Sequence, residues 1–276
     1  TKYTPAAGIA ELRRAAAARL KADCGLDYDW TQIVVASGAK HNVYVALAAL
    51  LNPGDEVIVP APYWVSYCEM VSMLGGVPVP VPLKAENEFR LTAEELKAAI
   101  TPKTKLLVLP FPCNPTGAVM EKEHLEAIAQ VLRGTDIMVL SDEIYAELTY
   151  GQHHVSLANL PDMYERTLVV NGFSKSHAMT GWRMGYVCGP APIVKQMLKL
   201  HQFGIMSAPT TSQYAAIEAM KNGDDDIEYM RGQYDMRRRL IVDGLNNMGL
   251  KCFEPEGAFY VFPSVKSTGL TSMEFC

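Results

Sequence analysis

One lysine interrupts the run NGFSKSHAMTGWRMGY, residues 171–186. Lys175 stands between two serines, directly after an apolar stretch, and Arg183 follows in Gly-Trp-Arg. Such a lysine is poorly placed for a core and oddly placed for a solvated face. Its amine attacks carbonyl groups when burial or a neighbouring cation depresses its pKa. Arg183 offers a planar fork that can hold a phosphate. Three further stretches carry groups that could join these two. SDEIY (141–145) ends an apolar run with Asp142, a carboxylate that is costly to bury without a cation or strong donor. FPCNPTG (111–117) would turn the Asn114 amide into a crevice at a strand end. SGAK (37–40) places Gly38 and Ala39 where a helix begins, and free backbone N–H groups there attract anions. Taken singly, each has a plainer reading. SGAK and NPTG are ordinary turns, Asp142 a helix cap, Tyr145 a core aromatic, Trp64 (after Pro62-Tyr63) a core residue. Together they supply a carbonyl-reactive amine, an acid, a phosphate cradle and an aromatic plate. Those are the parts needed to hold pyridoxal phosphate.

The elements that must position these residues alternate along the chain. Helical periodicity marks 7–22, 41–51, 63–74, 92–100, 122–132, 192–200 and 211–222, and short apolar runs mark strands at 33–37, 56–60, 105–110, 136–142, 167–172 and 183–189. Thr92 with Glu95 three residues on forms a capping box, and Asn52-Pro53-Gly54 stops the second helix. VPVPVPL (77–83) alternates valine and proline and suits an edge segment. This rhythm predicts βαβ units and a mostly parallel sheet covered on both faces, a three-layer α/β/α fold. Ligands in such folds sit beyond the carboxyl ends of the strands, where the singled-out residues fall. A long polar helix (226–249) then breaks the pattern, followed by KCFEP (251–255) and GAFYVFPSV (257–265). The domain boundary is placed near 225–240. Residues 1–230 form a large cofactor-binding domain, and residues 231–276 begin a small α+β domain.

Composition bounds the remaining classes. The 276 residues are 49% apolar and 20% charged, enough for a sizeable core. A net charge of -5 without a basic stripe argues against nucleic-acid or membrane-surface binding. The Asp224–Asp226 cluster reads as a solvated helix start. No apolar run of about 18 residues is present to span a membrane. Six cysteines, none in a Cys-x-x-Cys pair, point to a reduced cytoplasmic protein rather than a disulfide framework. The chain opens on Thr1 without a leader and closes on Cys276 in mid-pattern, so both natural ends are expected to lie beyond it.

In register, GFSKSHAMTGWRMG (172–185), NPTG (114–117), SDEIY (141–145), PYW (62–64) and SGAK (37–40) resemble the landmarks of the class I aminotransferases, in the fold-type I group of pyridoxal-phosphate enzymes. The resemblance covers essentially the whole chain. It implies that Lys175 is the Schiff-base lysine and later shuttles the substrate α-proton. By the same likeness Asp142 keeps the cofactor's ring nitrogen protonated, Asn114 and Tyr145 bond its phenolic oxygen, and Trp64 stacks on its ring. Gly38, Ala39, Lys40 and Arg183 would surround the phosphate, with Ser174 as a further candidate. Gly172 stands where some members carry a phosphate-binding serine. Tyr3, in TKYTPAAG, matches a tyrosine that reaches the neighbouring subunit's phosphate, which implies a homodimer with shared sites. The family grips the substrate α-carboxylate with an arginine in the small domain, and this chain stops before that segment.

Substrate choice follows from the same likeness. Gln202 occupies the place where some aspartate enzymes carry a partner-subunit arginine for the side-chain carboxylate. Lys40 matches a lysine that receives acidic substrates in bacterial relatives. Aspartate or another acidic amino acid, with 2-oxoglutarate as acceptor, is therefore expected. Aromatic, alanine and acetyl-diaminopimelate specificities stay open. A carbon–sulfur β-lyase would use the same lysine, and a non-catalytic cofactor-binding regulator would keep it. A nucleotide-binding protein would need a Gly-x-Gly-x-x-Gly or Walker loop, and neither is found.

Overall fold

The computed structural model describes residues 2–276; Thr1, the first residue of TKYTPAAG, lies outside the described residues. Seven strands form one sheet: β1 (Ile33–Ala36), β2 (Glu56–Ala61), β3 (Val77–Pro82), β4 (Thr104–Leu109), β5 (Met138–Asp142), β6 (Thr167–Gly172) and β7 (Gly185–Cys188). Their spatial order is β1-β7-β6-β5-β4-β2-β3. The α-helices are α1 (Ala10–Cys24), α2 (Ala39–Leu50), α3 (Ser66–Met73), α4 (Ala93–Ala99), α5 (Lys122–Leu132), α6 (Phe173–Ser176), α7 (Ala191–Ile205), α8 (Thr210–Asn222), α9 (Asp224–Asn247) and α10 (Ser272–Phe275).

Burial on both faces explains why the central strands read as unbroken apolar runs. Val57, Val59, Val108, Leu140 and Val170 point to one face and pack against Val43 and Leu47 of α2, Val71 of α3 and Met197 of α7. Alternate residues point the other way. Ile58, Leu107 and Val139 meet Leu96 of α4 and Ile128 of α5. Ile33, Val35, Val169 and Tyr186 meet Leu12 of α1 and Ile217 of α8. The proline-rich β3 takes the edge, where its missing N–H groups cost no ladder bonds. Thr92 and Glu95 close the expected capping box on α4.

The pairs from β3 to β6 are parallel, but β7 runs antiparallel to both β6 and β1. Only residues 173–184 join β6 to β7, with α6 as their one short helix. That connection holds a single helical turn and lacks the full helix that usually carries the chain back for a parallel strand. The two reversals cancel, so β1 points the same way as β6. The carboxyl ends of β1, β2, β4, β5 and β6 and the amino end of β7 therefore meet at one end of the sheet. Ala36, Gly185 and Gly172 lie abreast there.

The boundary expected near 225–240 falls inside α9, one continuous helix. Its acidic first turn faces the positive end of the helix dipole, and Asp224 also pairs with Arg19 of α1. Residues 248–265 form no strand. They fold back on the large layer structure through a bridge between Thr149 and Gly257 and a bond from Tyr150 N–H to Glu256 O at 2.9 Å. Among the described residues no helix is long and apolar enough to cross a membrane, and all six cysteines are free.

Candidate active site

A cavity of about 310 Å³ opens at the sheet end where the strand termini meet. It is lined by Ala39, Lys40, Trp64, Asn114, Asp142, Tyr145, Ser174, Lys175 and Arg183, nine of the residues singled out in the sequence. Gly38 caps the same helix start. Tyr3 lies elsewhere: it is 83% exposed and does not line the cavity. Lys2, beside it, accepts a bond from Thr210 Oγ1 at 3.1 Å, which ties this segment to the start of α8.

Lys175 sits on α6, the single turn that follows β6, and buried Phe173 anchors that turn. Its amine is half-buried, 5.2 Å from the centre of the Phe259 ring and 5.7 Å from that of Tyr145. Burial, and then the Arg183 charge, hold its pKa below the ordinary lysine range. Both causes favour the neutral, nucleophilic amine.

Asp142 ends β5 and is buried. Its Oδ2 accepts from the Tyr67 hydroxyl at 2.7 Å, and its Oδ1 accepts from Ile144 N–H at 3.3 Å. Burial pushes its pKa up to about 6, against the pull of the two donors. No cation pairs with it among the described side chains. A buried carboxyl in this condition gains most from a ligand that brings a cationic N–H.

At the other end, α2 begins at Gly38, whose φ of 87° lies in the left-handed region. A Cβ at Gly38 would come within 2.5 Å of Arg183 Nη2. A Cβ at Gly185 would stand 2.5 Å from Ala39 N. Both positions need glycine for the backbone, the helix start and the guanidinium to crowd together. Arg183 Nη1 donates to Thr180 O at 2.8 Å, which fixes the fork's direction. Backbone N–H groups and an arginine at one point make an anion site.

The walls between the ends are aromatic and amide. Lys40 Nζ lies 4.6 Å from the Trp64 ring centre, and Trp64 meets Tyr67 edge-on at 5.3 Å. The hydroxyls of Tyr145 and Tyr260 are 2.8 Å apart, and Asn114 Nδ2 donates to Tyr260 at 3.2 Å. Burial raises the Tyr145 pKa, so this hydroxyl keeps its proton.

The cavity thus has a buried acid without a cation at one end, an anion cradle at the other, and a depressed lysine amine between polar donors. Pyridoxal phosphate has a basic ring nitrogen, a phosphate, an aldehyde and a phenolic oxygen, and the donor set fits all four.

Two contributors escaped the sequence reading. Tyr67 lies three residues after Trp64, and that helical spacing marks it as a neighbour. Tyr260 lies in GAFYVF, an apolar stretch that carries no chemical signal.

The family model described as aminotransferase class I and II matches residues 1–276. The aspartate aminotransferase of Pyrococcus abyssi is 46% identical over 279 residues, covering 100% of this chain and 72% of the relative. The solved structure of an aromatic aminotransferase from Pyrococcus horikoshii OT3 superposes with a TM-score of 0.97 at 46% identity, covering 100% of this chain and 75% of that one. The aspartate aminotransferase from Thermus thermophilus with maleate gives 0.94 at 44% identity, covering 97% and 70%. With family, fold and cavity in agreement, the chain belongs to the class I and II aminotransferases, enzymes that transfer amino groups with pyridoxal 5'-phosphate.

Proposed function

We propose that this transaminase takes its amino group from aspartate or another acidic L-amino acid and passes it to a 2-oxo acid such as 2-oxoglutarate. The observation that carries the acidic preference is Lys40, whose ammonium stands over Trp64 in the cavity wall. A cation there can receive a side-chain carboxylate. The Pyrococcus abyssi and Thermus thermophilus relatives are aspartate aminotransferases, and the latter was solved with the dicarboxylate maleate. The aromatic aminotransferase at equal identity means that overall likeness does not decide substrate, so the weight rests on Lys40.

The residues divide the work by chemistry. Gly38, Ala39 and Arg183, with Lys40 and Ser174 beside them, hold the cofactor's phosphate. Asp142 accepts the proton-bearing ring nitrogen, Asn114 and Tyr145 donate to the phenolic oxygen, and Trp64 covers the ring. The cofactor, once bound, supplies a carbonyl for amine exchange and an electron sink for the substrate α-carbon. Lys175 Nζ would take the substrate α-proton and hand it on, and its depressed pKa suits it to hold that proton briefly. Donor and acceptor use the site in turn, so the kinetics are ping-pong.

The active unit is read as a homodimer. Tyr3 and Phe203 are 83% and 88% exposed, and Trp182, beside Arg183, is half-exposed. Exposed aromatics of this kind suit a partner surface, with Tyr3 completing the partner's phosphate cradle. Residues 1–230 are read as the cofactor domain and 231–276 as the start of the smaller one. The free cysteines favour the reducing cytoplasm.

A donor panel with 2-oxoglutarate tests the reading. Measured per cofactor-loaded site at saturating cofactor, Lys40→Ala should lower kcat/KM about tenfold or more for aspartate, with a much smaller change for alanine or phenylalanine. Equal losses for all donors would remove the acidic preference. Borohydride should trap the cofactor at Lys175, and pyruvate released without an oxo acid would point to β-elimination instead.

A further inference from the structure

We propose that Tyr260 is a positioning residue of this site: its hydroxyl links Asn114 to Tyr145 and turns the Tyr145 O–H toward the cofactor's phenolic oxygen. The inference rests on the reading of Tyr145 as a donor to that oxygen. A phenol has one hydrogen to give and can accept two. The Asn114 Nδ2 group only donates, so Tyr260 accepts there, at 3.2 Å. The 2.8 Å contact between the two tyrosine hydroxyls then has two possible directions. If Tyr145 donated to Tyr260, its single hydrogen would be spent and nothing would be left for the cavity. If Tyr260 donates, the hydrogen of Tyr145 is free for a ligand oxygen. An anionic acceptor in the cavity selects the second direction. The order becomes Asn114 N–H to Tyr260, Tyr260 O–H to Tyr145, and Tyr145 O–H to the acceptor. Each bond in such a series polarises the next and strengthens it.

Tyr260 is held where it is by contacts other than its hydroxyl. Ala258 N–H donates to Leu148 O at 2.9 Å, and the Tyr150 hydroxyl donates to Ala258 O at 2.5 Å. A Cβ at Gly257 would sit 2.5 Å from Pro112 Cβ, so this turn lies tightly on the loop that carries Asn114. Phe259 stacks on Tyr234 of α9 at 5.3 Å and 29° and meets Tyr145 edge-on at 5.4 Å. The segment after α9 therefore reaches the donor set through the Tyr260 hydroxyl as its polar contact and the Phe259 ring as an apolar one. The Tyr260 ring can lose its oxygen and keep its packing.

A donor to the phenolic oxygen favours the deprotonated cofactor, so weakening that donor raises the pH at which the bound cofactor changes colour. In the holoenzyme, Tyr260→Phe should raise the midpoint of that visible-absorption titration by about half a pH unit, with kcat reduced several-fold and the donor KM little changed. Tyr145→Phe should raise it further, and the double variant should match Tyr145→Phe alone. Titration is read on the unreduced holoenzyme after removal of free cofactor, and borohydride trapping at Lys175 on a separate portion counts the loaded sites, so misfolded chains do not contribute. Tyr260→His, which restores a donor, should recover part of the shift. An unmoved midpoint in Tyr260→Phe, with Tyr145→Phe shifted, overturns the role of Tyr260. An unmoved midpoint in both variants overturns instead the reading of Tyr145 on which it rests. Absence of any trapped cofactor in the parent protein overturns the assignment of Lys175.

Discussion

Asp142 and Glu143 are neighbours in sequence, both buried, and opposite in their electrostatics. Asp142 faces the cavity, takes one hydroxyl and one backbone donor, and is pushed up to about 6. Glu143 turns away from it. Burial alone would raise Glu143 as well, but His154 and two serines outweigh burial and hold it below the ordinary carboxylate range. Its Oε1 accepts from Ser141 at 2.8 Å and Ser156 at 2.6 Å, and His154 Nε2 makes an ion-pair contact with Oε2 at 2.9 Å. Glu143 thus has two serines and a histidine of the protein against it, whereas Asp142 has no cationic side chain beside it. That difference in surroundings is what supports reading Glu143 as structural and Asp142 as chemical.

Three measurements would break or sharpen that contrast. Asp142→Asn should lower kcat about a thousandfold, because the carboxylate no longer holds a proton-bearing ring nitrogen. Urea unfolding of the cofactor-free protein should show no loss of stability at neutral pH. A stability loss as large as the activity loss would make Asp142 a structural residue after all. Glu143→Ala should do the reverse. It strands His154 and two hydroxyls in the interior and should cost about 3 kcal/mol of stability, while the folded fraction keeps kcat within about threefold of the parent. Retention of full stability would show that the histidine and serines do not depend on the carboxylate.

The third and smallest effect is on pH dependence. Asp142 has a raised folded pKa, so the native state binds more protons than the unfolded chain between the ordinary aspartate value and about 6. Its contribution is therefore fully present below about pH 4 and is lost as pH rises through 6, on the order of 2–3 kcal/mol. Glu143, with its lowered pKa, contributes above the ordinary glutamate value and loses that contribution as pH falls toward its folded pKa. Parent-minus-variant unfolding curves should thus slope in opposite directions. Cofactor loading should flatten the Asp142 slope and leave the Glu143 slope alone. Parallel slopes in the two differences would erase the distinction.

Much of the site was legible because the chemistry sits at strand ends, and strand ends are readable from apolar runs. Lys175, Asp142 and Asn114 fell at such places and line the cavity, and Gly38 caps the helix whose first residues line it too. The partners that set their behaviour were harder to see. Glu143 reads as one more acid in SDEIY, and its serine and histidine neighbours are invisible until the chain folds. Tyr260 arrives from more than 100 residues past Tyr145, and no local pattern encodes such a contact. The direction of β7 was equally hidden, since a buried strand shows the same apolar run whichever way it points. Helix α7 extends to Ile205 rather than ending near residue 200, because the HQFGI stretch continues the turn despite its glycine.

Among the described residues β1 sits at the sheet margin with β7 as its sole strand neighbour, and about 150 residues separate them. A ribosome releasing this polypeptide must therefore deliver β1 long before anything exists for it to zip against. The nest of Gly38 and Arg183 cannot assemble until β7 has emerged. If Gly38 and Arg183 hold the coenzyme's phosphoryl group as proposed, vitamin capture is a late event in biogenesis, and a nascent chain stalled before residue 183 would lack that guanidinium.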